Sequence, residues 1–406
     1  MGDVNWVALL PLLTARADTP LITDGERVLF YGDSITASQK YSDILETMIR
    51  LRYPGAKLFF MNVGQGSDSS WGGPIGTAYQ RVSRDVVPFH PTVISVMLGM
   101  NDGGYVSYND RIKDNFQDAY SKLIEGMRAA HTGARFTFCL TSPYDAVTHS
   151  ASVDRPNFAP DYNDALLKYG TVVRKHSDQF GAVYVDANTP LLDVLRAASK
   201  RDVLLARQII PDCIHPTDAG HLVIAAEIAK GWGFGPASTV VIDGSTGALD
   251  QSTNTTVTDL TELTWKQTDA GFGFSMPRDR MIDLVTQVWP RITQVMGHRL
   301  QVRKVPPGTY VLTVGGKRMG TYTAAQLAEG ISVPSPAPDI SAQVLDLVRQ
   351  RNALVRKEWL KRRLGDLISL SDELEGVGAE YLARVRDLVK TRTYVWELRR
   401  FVEISD

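Results

Sequence analysis

From Arg27 to about Gly235 the chain alternates short continuous apolar runs with longer stretches whose apolar residues recur every three or four positions. The runs predict strands at 27–31, 58–63, 92–98, 135–140 and 182–186. The periodic stretches predict helices near 38–52, 77–87, 109–130, 161–177, 189–200 and 217–230. Tyr41, Ile44, Leu45, Met48 and Ile49 mark the buried side of the first helix, and Leu222, Ile224, Ala225 and Ile228 that of the last. Repeated strand–helix units predict an α/β architecture, a parallel sheet with helices on both faces.

The pattern changes after Gly235. Short strand-like runs follow at Thr239–Ile242, Thr255–Asp259, Gly271–Phe274, Leu300–Val302 and Tyr310–Val314, punctuated by Pro306-Pro307-Gly308 and Gly315-Gly316-Lys317. They predict a small β-sandwich-like accessory domain with a hairpin over Tyr310–Gly320. Pro334-Ser335-Pro336-Ala337-Pro338 is a short stiff linker. Beyond it, Ile340–Glu375 and Gly376–Phe401 predict a C-terminal helical hairpin with an apolar stripe of Leu345, Leu347, Val348 and Leu354, continued by Leu382, Val385, Leu388 and Val389. Its basic residues, Arg349, Arg351, Arg356, Lys357, Lys361, Arg362 and Arg363, are interspersed with acidic ones and predict a solvated face. The expected division is 22–236, 237–335 and 339–402. The last unit is expected to pack on the body or the β-domain, or to form a homo-oligomer contact.

Composition narrows the class. The 406 residues are 44% hydrophobic and 22% charged with a formal net charge of −1, as in an ordinary globular protein. Nothing in that balance points to a nucleic acid or membrane partner. Two cysteines, Cys139 and Cys213, make neither a disulfide scaffold nor a zinc site. No stretch approaches the roughly 20 apolar residues of a membrane helix. Trp6–Leu13 followed by Ala15-Arg16-Ala17 resembles a leader and its cleavage site, a hint of a periplasmic or secreted protein, but lacks the usual basic start.

Four loops carry candidate chemistry. In Gly32-Asp33-Ser34 an apolar strand stops at a glycine, and the serine falls where strand turns into helix. A hydroxyl there stands clear of the sheet beside backbone N–H groups that can stabilise an anion. Alone, such a tripeptide is more often an ordinary turn. Asp212-Cys213-Ile214-His215-Pro216 offers a base and the acid that orients it on one loop. Asp218 and His221 repeat the spacing, but His221 falls inside a helix, so His215 is preferred. Gly99-Met100-Asn101-Asp102-Gly103-Gly104 follows a buried strand, where the Asn101 amide can donate to an oxyanion. Asn62-Val63-Gly64-Gln65-Gly66-Ser67 is a glycine-rich loop after another strand. The last two also fit plain turns. Cys139 and Cys213 are read as buried packing residues.

In this order the four loops resemble the blocks of the SGNH or GDSL hydrolase superfamily, over about residues 22–236. The resemblance implies a flavodoxin-like, doubly wound five-stranded sheet. It implies Ser34 as nucleophile, His215 as base and Asp212 as orienting acid, without metal or cofactor. It also implies an oxyanion hole from Asn101, the Ser34 N–H and a second-block N–H. The second block departs from the family pattern, with Ser67 where a glycine is usual and Gly66 one place earlier, so both stay open as the donor. Asp33, Trp71 and Tyr105 are the expected substrate-contacting residues, with Tyr108 and Tyr144 nearby, and the aromatic rings fit a sugar or simple packing equally. The expected reaction is hydrolysis of a small or carbohydrate ester through an acyl-enzyme, releasing a short acyl group such as acetyl. An acyltransferase on the same scaffold and a binding protein with a vestigial site are the alternatives.

Overall fold

Five apolar runs pair in parallel as one sheet: β1 (Arg27–Gly32), β2 (Phe59–Asn62), β3 (Val93–Leu98), β4 (Arg135–Leu140) and β5 (Val183–Asp186), in the order β2-β1-β3-β4-β5. Val28 sits opposite Val93, and Val93 opposite Arg135. Val28–Tyr31 and Val93–Leu98 are buried on both faces, which is why these strands read as unbroken apolar runs rather than alternating ones. The covering helices are α1 (Ser34–Ala37), α2 (Lys40–Arg52), α3 (Asp110–Ala130), α4 (Tyr162–Phe180), α5 (Thr189–Ser199) and α6 (Asp218–Gly231). Strand order reverses between β1 and β3, so their carboxyl ends flank the crevice where open α/β sheets bind ligands. The sheet is the expected flavodoxin-like one. The computed structural model describes residues 21–150, 154–362 and 370–401, so the leader-like segment lies outside the described residues.

The helix expected near 77–87 is instead one turn, Ala78–Arg81, that widens into a π turn and closes in a 3-10 turn. Arg81 explains the deviation. It is fully buried, pairs with Asp68 and Asp85, donates to the carbonyl of Val63, and lies over the Tyr31 ring at 4.5 Å. A buried guanidinium needs such partners, and the local backbone follows them.

The second region is a sandwich of two sheets. One contains β6 (Thr239–Asp243), β7 (Ala248–Thr253), β10 (His298–Arg303) and β13 (Ile331–Val333). The other contains β8 (Thr255–Thr261), β9 (Thr264–Asp269), β11 (Thr309–Val314), β12 (Lys317–Thr323) and β14 (Thr393–Arg400). β14 corrects the sequence reading. The helix expected over 376–401 ends at Leu388, and Thr393–Arg400 enters the sandwich as its central strand, between β9 and β11. Trp396 and Leu398 alternate into the sandwich core, and the Trp396 ring stacks on that of Trp265 at 5.9 Å. Gly271–Phe274, expected as a strand, is an irregular segment whose Phe272 N–H donates to the Leu51 carbonyl. Phe272, Phe274 and the helices α7 (Arg280–Val288) and α8 (Ile292–Met296) belong to the core of the α/β unit. Packing therefore crosses the boundaries expected at 237–335 and 339–402.

The helix α9 (Pro338–Arg362) docks on the α/β unit. Asn352 Nδ2 donates to Asp43 Oδ1 at 2.9 Å and Glu46 Oε2 at 2.7 Å, and buried Arg351 donates to the Phe60 carbonyl. Arg349 reaches Asp218 at 2.9 Å, and Arg356 the Gly64 carbonyl at 3.2 Å. These three arginines are thus docking residues rather than a solvated face, because α6 presents a carboxylate, and β2 and the loop after it present carbonyls, to them. Among the described residues no helix is long and apolar enough to cross a membrane.

Candidate active site

The nucleophile candidate is built by the end of β1. A side chain at Gly32 would place its Cβ 2.2 Å from Thr36 Oγ1 and 2.5 Å from the Met97 carbonyl oxygen, so only glycine lets the turn sit this close to β3. Asp33 caps α1 by accepting the Ile35 N–H at 2.9 Å. Ser34 is the first helical residue, and its own N–H has no acceptor among the described residues.

The loop after Ile210 brings the base. Cys213 has φ of 70°, and the carboxylate of Asp212 folds the chain back by accepting the N–H groups of Ile214 at 3.1 Å and His215 at 2.7 Å. Its second oxygen lies 2.6 Å from His215 Nδ1, while His215 Nε2 lies 2.8 Å from Ser34 Oγ. A carboxylate on Nδ1 favours the tautomer in which Nε2 is free to accept the serine proton. The Asp212 hydrogen bond pushes the His215 pKa up against burial, which lowers it. Burial works to raise the Asp212 carboxyl, but hydrogen bonds from His215 and Ile214 outweigh it and hold the group well below the usual carboxylate range. Cys213 is buried, and that burial pushes its thiol up to about 11. Cys139 is likewise buried and free, as expected.

The oxyanion side is cross-braced. Asn101 Nδ2 donates to the Asp68 carbonyl at 2.8 Å, and Asn101 Oδ1 accepts from the Tyr105 hydroxyl at 2.8 Å. An amide nitrogen has two hydrogens, so this arrangement orients the group and leaves one N–H for a ligand. Asp102 Oδ1 accepts the N–H of Ser70 at 2.8 Å and also its hydroxyl, tying the third block to the second. In the second block the N–H of Gly64 is held by Asn62, that of Gln65 by Gly32 and that of Asp68 by Gln65. Those of Gly66 and Ser67 have no acceptor among the described residues, and Ser67 adopts φ of 58°. Both remain available as donors.

The substrate-contact expectations change. Asp33 is completely buried, its Oδ1 engaged as the helix cap, so it does not face a substrate. Tyr144 is buried as well, and the Tyr108 hydroxyl bonds Asp110 at 2.5 Å. Tyr105 lends its hydroxyl to Asn101 and stacks on Phe158 at 4.3 Å, which makes it part of the frame. Trp71 is 51% exposed, with Lys122 Nζ 6.0 Å from its ring centroid. Sequence reasoning missed Arg155, whose Nε donates to the Asp212 carbonyl at 3.0 Å and whose Nη2 lies 3.4 Å from Asp212 Oδ2. It sits on an irregular segment without motif or periodicity, so no sequence signal marked it. Among the described residues no group of three or more His, Cys, Asp or Glu side chains could hold a metal ion.

Residues 30–223 match the model of the GDSL-like lipase/acylhydrolase family. An acetylxylan esterase of Geobacillus stearothermophilus is 22% identical over 230 residues, 52% of this chain and 96% of that protein. A solved mutant of an acetylxylan esterase from the same organism aligns over 52% of this chain and 96% of its own, with 19% identity and a TM-score of 0.41. A gut microbial diltiazem-metabolizing enzyme aligns over 94% of this chain and 98% of its own, with 19% identity and a TM-score of 0.68. That last likeness shows the same fold across the α/β unit, the sandwich and the C-terminal helices together.

Proposed function

The chain belongs, through residues 30–223, to the GDSL-like lipase/acylhydrolase family and is a carboxylic ester hydrolase, and from this premise we propose that it releases short acyl groups, acetyl first, from carbohydrate esters through an acyl-serine intermediate. The observation that carries the reading is the unbroken series Ser34 Oγ, His215 Nε2, His215 Nδ1 and Asp212 Oδ2, with separations of 2.8 Å and 2.6 Å at its two hydrogen bonds.

Ser34 Oγ attacks the ester carbonyl while His215 Nε2 accepts its proton. Asp212 keeps the ring in register and stabilises the imidazolium. The developing oxyanion takes the free N–H of Asn101, the Ser34 N–H and one of the Gly66 and Ser67 N–H groups. The imidazolium then protonates the departing alkoxide, and water activated by the same nitrogen releases the acid. His215 must be neutral to start the cycle, so turnover falls as pH drops through its raised pKa.

Acetyl and carbohydrate are supported by the acetylxylan esterase relative, and the exposed Trp71 ring can stack on a sugar. The test is a deacetylation panel of acetylated xylo-oligosaccharides, other acetylated saccharides and a short-chain aryl ester, with Ser34→Ala protein as control. Acetate released from a saccharide by the wild type alone supports the reading. Hydrolysis of the aryl ester with every saccharide untouched rejects its carbohydrate part.

A further inference from the structure

One segment touches both ends of the site. Between β4 and α4, Arg155 holds Asp212 through its carbonyl and its Oδ2 at 3.0 Å and 3.4 Å. Three residues on, the Phe158 ring lies 5.7 Å from the Arg155 guanidinium and stacks on Tyr105 at 4.3 Å with 12° between planes. The Tyr105 hydroxyl is the group that holds Asn101 Oδ1. Two further bonds bind the segment to the same loop: the Ala159 N–H donates to the Tyr105 carbonyl at 2.9 Å, and Ser107 Oγ donates to Asp161 at 2.7 Å. Tyr105 adopts φ of 61°, a conformation an aromatic residue keeps only when its surroundings enforce it.

We propose that Asp154–Asp161 is a brace joining the acid end of the Ser34 relay to its oxyanion amide, with Arg155 and Phe158 as positioning residues for ester hydrolysis. The inference rests on the hydrolase reading above. Arg155 acts on Asp212 directly. Phe158 acts through Tyr105, whose flat stack fixes where the hydroxyl points and hence how the Asn101 amide is turned.

The two residues leave different signatures. The charged groups facing His215 are Asp212 and Asp33, which favour its imidazolium, and Arg155, which opposes it; His221 beyond them is buried and neutral. Removing Arg155 therefore raises the pH at which His215 becomes a free base. Removing Phe158 takes a ring contact from Arg155 but leaves its two bonds to Asp212 and the charges in place, and it loosens the amide.

The experiment measures hydrolysis of 4-nitrophenyl acetate by the full chain from about pH 5 to 9. It uses the wild type, Arg155→Ala, Arg155→Lys, Phe158→Ala, Phe158→Leu, Asn101→Ala and the Asn101→Ala/Phe158→Ala double variant. Arg155→Ala is expected to move the acidic limb of kcat/KM upward, and Arg155→Lys to restore it because the charge stays. Phe158→Ala is expected to lower kcat about tenfold with the limb and KM unmoved, and Phe158→Leu less so. In the double variant the Phe158 effect should vanish, since the amide it orients is gone. An unmoved limb in Arg155→Ala, or losses that simply multiply in the double variant, overturns the brace. If Phe158→Ala does not fold, Phe158→Leu carries the same comparison. Turnover surviving in Ser34→Ala would overturn the hydrolase reading instead, so the two failures are distinct.

Discussion

Ser38 Oγ lies 3.2 Å from Nε2 of His221, one helical turn beyond the Ser34–His215 pair. The same two stretches of chain thus make two serine–histidine contacts, and their surroundings separate them. His221 is buried and stacked on Tyr41 at 5.9 Å, and its Nδ1 has no partner among the described residues. Asp218, which stands to His221 as Asp212 stands to His215, is engaged by Arg349 instead. Burial, helped by Lys40, pushes His221 down to about 3, so it stays neutral. The second pair has neither an orienting acid nor access.

His215→Ala should abolish turnover, by about 10⁴-fold or more in kcat. His221→Ala should keep activity of the wild-type order and lose about 2–3 kcal/mol of stability through the cavity it leaves. Parallel kinetics and urea unfolding on both variants check this, and the opposite ranking would assign the base to His221.

Ser34→Ala should remove the reaction by about 10⁴–10⁶-fold while its melting temperature stays near that of the wild type, because the partner of the hydroxyl among the described residues is the exposed His215. A fluorophosphonate that labels the wild type should leave this variant unlabelled in a mass spectrum of the intact protein.

Asn101→Ala should lower kcat by about 10²–10³-fold with little change in KM, the signature of a donor used mainly in the transition state. A proportional rise in KM would place the amide in ground-state binding.

Burial raises the Asp33 carboxyl to about 7, with Asp102 and Asp68 adding to the shift and the Ile35 N–H and His215 opposing it. The native state therefore holds this proton more tightly than the unfolded chain, where the group titrates near 3.9. Its contribution to stability is full below that value and is lost as pH rises toward 7. Asn keeps an acceptor for Ile35 and carries no charge. Asp33→Asn should thus gain stability relative to the wild type between about pH 5 and 8, by up to a few kcal/mol at about 1.4 kcal/mol per pKa unit. Melting temperatures across that range test it. The same variant should move the acidic limb of activity downward, opposite to Arg155→Ala, because the Asp33 charge favours the His215 imidazolium.

Asn352 is the donor shared by the buried Asp43 and Glu46 carboxylates. Its replacement by Ala should cost about 1–3 kcal/mol in urea unfolding. Burial and the neighbouring Glu46 raise Asp43 to about 7, against the Asn352 hydrogen bond, which lowers it. Losing that donor should therefore cost more at pH 8, where Asp43 must carry its charge, than at pH 5.

Most of the α/β unit was legible along the chain. Strand and helix periods repeat over distances a window of ten residues spans, and fully buried strands such as Val93–Leu98 leave an unmistakable apolar run. The reading failed where a pattern was short or its partner distant. Phe272 and Phe274 alternate like a strand, but the Phe272 N–H bonds Leu51 at the end of α2 and the Phe274 N–H bonds Met296 at the end of α8. Tyr394, Trp396 and Leu398 also alternate, yet the helical stripe before them masked the change of period. Arg155 belongs to a segment whose importance is visible only from the residues it touches.

Local chemistry in the sequence determined the type of each α/β element and the loops that carry a hydroxyl, an imidazole, a carboxylate and an amide, because turn residues and hydrophobic period act on near neighbours. The tertiary structure alone decided that Asp218 is engaged by Arg349, which leaves the His221 of the second Asp-x-x-His repeat without an orienting acid. It also placed Thr393–Arg400 beside strands about 80 and 130 positions earlier in the chain. Those outcomes rest on burial and on pairing between distant segments, and neither leaves a trace within any single stretch of residues.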